Sequence, residues 1–447
     1  MNGHALRIVV PVYQEQAALP ALLAALQPLR SRGAWVVIVD GGSTDATWAL
    51  ARRGADEVRV APLGRASQMN AGAAGCESGA LLFLHADTRL PEGADLLVQQ
   101  ALQAGAQWGR FDVRIDSRQP LLRVVQTLMN LRSRWTGIAT GDQAIFVRAE
   151  AFHAVGGFAD QPLMEDIALS TQLRRRSAPA CLRARVETSA RRWEKHGVLR
   201  TIALMWSLRL RYFLGADPQA LADRYGYARR LPATQATVAV LAKAPVRGLA
   251  KTRLAPALGD AGAARLQRRL TLDVLQTARA ASLGPIELWG SPDARHRFFR
   301  ALRRRCGIAT QAQVAGDLGA RMQAVMDAHF AARAGQPLLI VGTDCPLLAP
   351  GHLQQAARAL ATHDAVLIPA EDGGYVLLGL ARPLPQVFRA ITWSTAQVAA
   401  QTRERLREAG ATWTELPPLA DLDEPADWAC ARGFYPGLVP AIETAPS

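Results

Sequence analysis

Acids that close short apolar runs are the first residues of this 447-residue sequence with chemistry in them. "GALLFLHADTR", Gly79 to Arg89, carries such a run into His85 and Asp87, and "QPLLIVGTDCPLL", Gln336 to Leu348, does the same with Asp344. "VVIVDGGSTD" closes on Asp40, and "RIVVPVYQE" leads through Pro11 and Tyr13 to Glu15. Runs of this length, bounded by Gly and polar residues, predict buried strands, and the ends of strands in an α/β sheet present ligand-binding groups. Acids gathered on one sheet edge repel one another unless a cation or a donor-rich ligand joins them. Two such strands predict two sites of similar chemistry.

The cations are as uneven as the acids. Lys and Arg total 52 against 38 Asp and Glu, a formal charge of +14 that invites a nucleic-acid partner. Almost all of it is Arg, with no RNA-binding or helix-turn-helix signature, so no nucleic-acid partner is expected. Lys195, Lys243 and Lys251 are the only lysines, and two of them share "LAKAPVRGLAKTRLAP" with Arg247, Gly248 and Arg253. A loop so rich in cations, directly after a strand, suits phosphate oxygens, and Lys differs from Arg in acting as a compact point charge. The P-loop spacing is missing, as is the GxGxxG turn of a dinucleotide fold. Carboxylates and a cation must hold the ligand instead.

The elements that would position these groups alternate strand-like and helix-like from Leu6. "LRIVVPV" is followed by a helix with Leu19, Leu22, Leu23 and Leu26 on one face, then "WVVIVD", a helix from about Thr44, and a helix over Ser67 to Cys76. A fresh start comes at "TVAVLAKAP", followed by a helix from about Asp260 and strands near Ile286, Ile308, Leu339 and Val366. This is the rhythm of parallel sheets covered by helices, and the length fits two domains. The unpatterned segment before Thr237 predicts a linker with its boundary near Pro232, giving domains 1–232 and 233–447. Five scattered cysteines without a CxxC pair argue against a disulfide framework or a zinc site, and a reducing cytoplasm is expected. The early apolar run is too short for a secretory signal.

In the first half, "VPVYQE", "VDGGSTDAT", "GRASQMNAGA", "FLHADT" and "MEDIALSTQLRRR", in that order, resemble the inverting family-two glycosyltransferases of GT-A fold. The resemblance implies a nucleotide-sugar donor, a nucleoside contact at Asp40, and Mg²⁺ or Mn²⁺ held at Asp87 against the donor diphosphate. It also implies Asp166 as the general base, and Pro11, Tyr13, Glu15, Arg65, Arg192 and Trp193 around the donor. His85 stands where the family often has the first acid of its DxD motif. Asp166 and Glu165 would otherwise be acids favoured at a helix N-terminus. "VLRTIALMWSLRLRYFLG" is too short and Arg-rich to span a membrane; a helix packed on the domain and an interfacial membrane helix over 198–214 are the two readings, the latter suiting a lipid acceptor.

In the second half, "AKAPVRGLAKTRL", "GDLGARM", "VGTDCPLL", "PAEDGGYVLLGL", "ITWST" and "LADLDEPADW" resemble the DUF2064 family. That family is related to nucleotidyltransferases such as the guanylyltransferase of cofactor F420 biosynthesis, and is also associated with arsenosugar-type glycosyl transfer. The resemblance implies a metal at Asp344 and one Asp of "DLDEPAD", taken as Asp423, phosphates at Lys243, Lys251 and Arg253, and a base or sugar pocket at Asp372, Gly373 and Gly374. The whole is then expected to be two GT-A-type α/β domains, each a mixed, mostly parallel sheet flanked by helices. A second glycosyltransferase and a catalytically silent nucleotide-binding or docking module are the alternatives for the second domain.

Overall fold

The computed structural model describes residues 5–227, 234–435 and 438, with the side chains of Arg192 and His196 left aside. The chain divides into two compact units, one running to Leu231 and the other from Pro232. The boundary expected near Pro232 falls in 228–233, outside the described residues.

The first unit runs β1 (Leu6–Val12), α1 (Leu19–Ser31), β2 (Trp35–Asp40), α2 (Thr47–Gly54), β3 (Glu57–Val60), α3 (Arg65–Ala73), β4 (Ala80–Phe83), β5 (Thr88–Arg89) and α4 (Ala94–Gln103). It continues with β6 (Trp108–Asp116), α5 (Pro120–Thr136), β7 (Phe146–Arg148), α6 (Ala149–Ala154), α7 (Glu165–Arg174), β8 (Ala180–Ser189), α8 (Arg191–His196), α9 (Val198–Phe213) and α10 (Pro218–Tyr225). The sheet order is β3-β2-β1-β4-β7-β6-β8-β5. Strands β1 to β4 are parallel and β7 runs against both its neighbours.

The strands are buried on both faces, so they read as continuous apolar runs, the pattern of a parallel sheet covered by helices. α1 has Pro20 in its first turn, where a missing N–H costs nothing, and buries Leu19, Leu22, Leu26 and Leu29. Leu23, expected on that face, is half-buried. α3 lies so close to the sheet that a Cβ on Gly72 would collide with Val9. That approach lets Gln68 Nε2 donate to the carbonyls of Val12 and Val39 at 2.9 and 2.8 Å, tying together the ends of β1 and β2.

The second unit runs β9 (Thr237–Lys243), α11 (Ala255–Ala281), β10 (Ile286–Ser291), α12 (Arg297–Cys306), β11 (Ala309–Ala312), α13 (Leu318–Ala332) and β12 (Leu338–Val341). Then come α14 (Pro350–Ala359), β13 (Ala365–Pro369), β14 (Tyr375–Leu380), α15 (Val398–Glu408), β15 (Trp413–Glu415) and α16 (Pro425–Ala431). Its order is β11-β10-β9-β12-β14-β13-β15, again with an antiparallel strand, β14, beside the fourth strand of the unit. Both units are therefore mixed, mostly parallel sheets flanked by helices, and both arrange their first four strands as third, second, first, fourth. No common motif order in the sequence reveals this repeat. The five cysteines are free thiols.

Candidate active sites

In the first unit the register puts Val12 beside Asp40, so the loops after β1 and β2 emerge together. Gln14, at φ 56°, donates its N–H to Ser43 Oγ at 2.9 Å, and the Glu15 N–H donates to Thr47 Oγ1 at 2.8 Å. Asp40 is fully buried and accepts from the Ser43 N–H and hydroxyl, so its carboxylate is committed to the turn. Burial lifts its carboxyl to about 6, with the Ser43 hydrogen bonds opposing. Pro11 is buried within β1, and Tyr13 is exposed at the strand's end.

The strand expected to end in Asp87 ends at Phe83, and Asp87 follows in the turn before β5. Its carbonyl accepts from the Ser189 N–H at 3.2 Å, and its half-buried carboxylate opens on a cleft of about 340 Å³ shared with Thr188, Ser189 and Arg191. Glu15 belongs to the same edge: burial, helped by the Asp87 charge, raises its carboxyl and outweighs the opposing pull of Arg191, which comes within 3.8 Å of it. One open carboxylate suits Mg²⁺ or Mn²⁺, which bind through one or two acids plus substrate phosphates. Arg192 lies outside the described side chains. Trp193, expected at the diphosphate, is partly buried and packs against the cluster of Ile115, Leu122 and Val125.

A second group of residues surrounds Asp166. Met164 turns at φ 66° to start α7, and Asp166 is half-buried, its Oδ2 accepting the Gly141 N–H at 2.9 Å and its Oδ1 the Ile167 N–H at 2.7 Å. A carboxylate gripped by two backbone donors keeps one orientation. Glu165 beside it is buried, and burial with the Asp166 charge raises its carboxyl. His85, also buried, places Nδ1 3.2 Å from Asp142 Oδ1; a Cβ on Gly141 would strike its ring. Arg65 stacks over Tyr227 at 5.8 Å, and Glu165 and Asp142 add to the charges that hold it protonated against burial. Arg132 and Arg209 also act on this group. Asp142, Arg132 and Arg209 escape sequence reading, since nothing in their spacing separates them from surface residues.

In the second unit a cleft of about 920 Å³ opens where β9 and β12 end. Asp344 again follows its strand in a turn rather than ending it. Lys251, at φ 49°, turns inward, with Nζ 2.6 Å from Asp344 Oδ1, Asp423 Oδ1 and the Leu422 carbonyl. Burial opposes its charge, but the two acids outweigh it and raise its pKa. Lys251 was expected on phosphates with the acids on a metal; in the structure the lysine lies between those acids. Two carboxylates converging on one ammonium can converge on a divalent cation, so the donor set fits the metal. Among the described residues no group of three or more His, Cys, Asp or Glu could hold one.

Lys243 and Arg253 are exposed and line the cleft. Asp372 Oδ1 accepts the Gly374 N–H at 2.8 Å, and Gly373 stands at φ 90°, where a Cβ would strike the Ala396 carbonyl. Trp393 and Asp421, which the motifs did not single out as ligands, also line this cleft.

Residues 7–159 match the family model for glycosyl transferase family 2, and residues 274–395 match that for an uncharacterized protein conserved in bacteria, DUF2064. Both resemblances read from the motifs are thus found, each over part of its half. No curated protein matches the chain. Among solved structures, a protein from Desulfovibrio desulfuricans G20 described as a nucleotide-diphospho-sugar transferase is 30% identical, covering 43% of this chain and 83% of that one, with a TM-score of 0.40. Residues 1–349 of S. aureus TarS in complex with UDP are 17% identical, covering 41% of this chain and 60% of that one, with a TM-score of 0.35. The UDP-GlcNAc complex of the same segment is 16% identical, covering 41% and 58%, with a TM-score of 0.35.

Proposed function

We propose that this chain, with a glycosyl transferase family 2 domain in its first half and a DUF2064 domain in its second, transfers a sugar from a nucleotide donor with inversion. The observation that carries this reading is Asp166, fixed by the Gly141 and Ile167 N–H groups on the same unit as the Glu15, Asp40 and Asp87 edge. Asp166 takes the proton of an acceptor hydroxyl while that oxygen attacks the anomeric carbon from the face opposite the diphosphate. A single displacement inverts the centre, since no second carboxylate acts as nucleophile. Asp87 would hold Mg²⁺ or Mn²⁺, which offsets charge on the departing nucleoside diphosphate. Glu15, Tyr13 and Arg65 border the donor, and Asp40 shapes the turn beneath the nucleoside.

The second half, 233–447, is read as a nucleotidyltransferase-like domain that makes or binds the activated donor. Lys243 and Arg253 face its phosphates, Asp344 and Asp423 its metal, and Asp372 to Gly374 its base or sugar. A screen of nucleotide sugars and nucleoside triphosphates against the full chain, read by thermal shift with and without Mn²⁺, tests both halves. A nucleotide-sugar shift lost in Asp87→Ala supports the first, and pyrophosphate release from a triphosphate and a sugar 1-phosphate supports the second. No shift with any nucleotide overturns the reading.

A further inference from the structure

Two observations on the same pair of helices bear on the acceptor, and the inference rests on the glycosyl transfer reading above. The first lies on their inner faces. Arg132 of α5 and Arg209 of α9 act on one another and on the Asp166 and Asp142 groups. Arg132 Nε and Nη2 and Arg209 Nε have no hydrogen-bond partner among the described residues. Burial, then the Arg209 charge, drives the Arg132 guanidinium down to about 10, with only Asp166 pulling the other way. Two half-buried like charges with idle donors, beside the residue that takes the acceptor proton, are satisfied by an anion.

The second observation lies on the outer faces. α5 exposes Leu121, Val124, Leu128, Leu131 and Trp135, spaced alternately three and four residues apart, a continuous stripe on a helix that already buries Leu122 and Val125 elsewhere. α9 packs Leu208 against Leu163, Met164 and Ile167 yet exposes Leu199, Trp206, Leu210 and Phe213. The helices meet through Leu122, Val125, Val198 and Ile202, so both stripes belong to one region of the unit. Trp135 and Trp206 are 82% and 73% exposed, which no ordinary solvent-facing surface favours.

Charge decides what covers these stripes. Neither helix contains an Asp or Glu, and Arg123, Arg200 and Arg211 are exposed among the apolar residues. A second copy would set the same cationic patch against itself, since a two-fold interface is self-complementary. A lipid surface with anionic headgroups accepts the arginines, the aliphatic stripe and the tryptophans together.

We propose that the acceptor of the first unit is a membrane-resident amphiphile with an anionic group, held by Arg132 and Arg209, and that the outer faces of α5 and α9 seat the unit on the lipid surface. The expected reaction then extends from a soluble donor to a lipid acceptor presented at Asp166.

The test is co-sedimentation of the full chain with phosphatidylcholine vesicles, with and without phosphatidylglycerol, in the absence of any donor. Binding at least about tenfold stronger to the anionic vesicles is expected, because each exposed Arg contributes near such a surface. Trp135→Glu with Trp206→Glu should remove most of it, and both residues are too exposed for the change to disturb the core. A short-chain phosphatidic acid below its micellar concentration should raise the melting temperature, a shift lost in Arg132→Gln with Arg209→Gln and kept in the Trp variant. Equal binding to neutral vesicles, binding to neither, or an equal shift with inorganic phosphate overturns the proposal. So does a dimer in light scattering that the Trp variant dissociates. Since no nucleotide is present, failure here leaves glycosyl transfer standing, while vesicle binding without any nucleotide shift would retain the anionic lipid site and remove the transfer reading.

Discussion

At the scale of single residues, Asp166 and Asp40 show two uses of a carboxylate. Asp166 has both oxygens engaged by backbone donors and lies half-buried, so its carboxylate keeps one direction. Asp166→Asn keeps the size of the side chain and removes the base, giving up one of the two backbone hydrogen bonds because an amide has a single acceptor oxygen, so donor affinity by calorimetry should hold while kcat falls by at least about 10²-fold. An unchanged rate would reduce Asp166 to a helix-terminal acid. Asp40 is buried with Ser43 as its donor, and its carboxyl is lifted from 3.8 to about 6. The folded state therefore binds this proton more tightly than the unfolded chain. Its contribution is fully present below 3.8 and is lost as pH rises through about 6. Urea melts of wild type and Asp40→Asn should diverge in favour of the variant by up to about 3 kcal/mol between about pH 4 and pH 7. A difference that does not vary with pH would show that the folded carboxyl is not shifted.

At the scale of elements, the loop after β9 and the loop before α16 close on Asp344, in the turn after β12, through one lysine. Lys251 bridges the two acids at 2.6 Å each and donates to the Leu422 carbonyl at 2.6 Å, so a divalent cation entering there must displace an ammonium already in place. In a chain carrying Asp87→Ala, Lys251→Met should tighten Mn²⁺ binding at least about tenfold, since charge-assisted hydrogen bonds to the ammonium no longer compete. Electron paramagnetic resonance of free Mn²⁺ measures this directly. Equal affinity with and without the lysine would mean that these acids are not where the metal binds.

At the scale of the molecule, two units each own their cores: Ile8, Ile38, Leu82 and Phe146 in the first, Val240, Leu288, Leu339 and Leu377 in the second. Calorimetry should resolve two unfolding transitions, and a nucleotide sugar with Mn²⁺ should raise one of them, because a ligand stabilises only the unit that binds it. A single transition that shifts as a whole would show that the units unfold together. The shared strand order places Asp87 and Asp344 after the fourth strand of each unit, so one architecture used twice brings an acid to the same place in both.

Local pattern was enough for much of this. Apolar runs marked β1, β2, β4, β9 and β12, because strands buried on both faces must be apolar throughout. The acids Asp40, Asp87, Asp166, Asp344 and Asp423 were visible because such residues next to such runs are chemically conspicuous. Their surroundings were not. Whether Asp40 faces a ligand or Ser43, whether Lys251 reaches phosphate or two acids, and whether Trp193 lines a site or a core depend on residues distant in the chain. The strand order repeated in both units, the charge of Arg209 acting on Arg132, and the outward stripe of α5 have the same origin. Sequence determined which groups could ionise, bond or be buried, since those are properties of residue types and short spacings; tertiary structure alone decided their partners, since contact, burial and charge pairing belong to the packed chain.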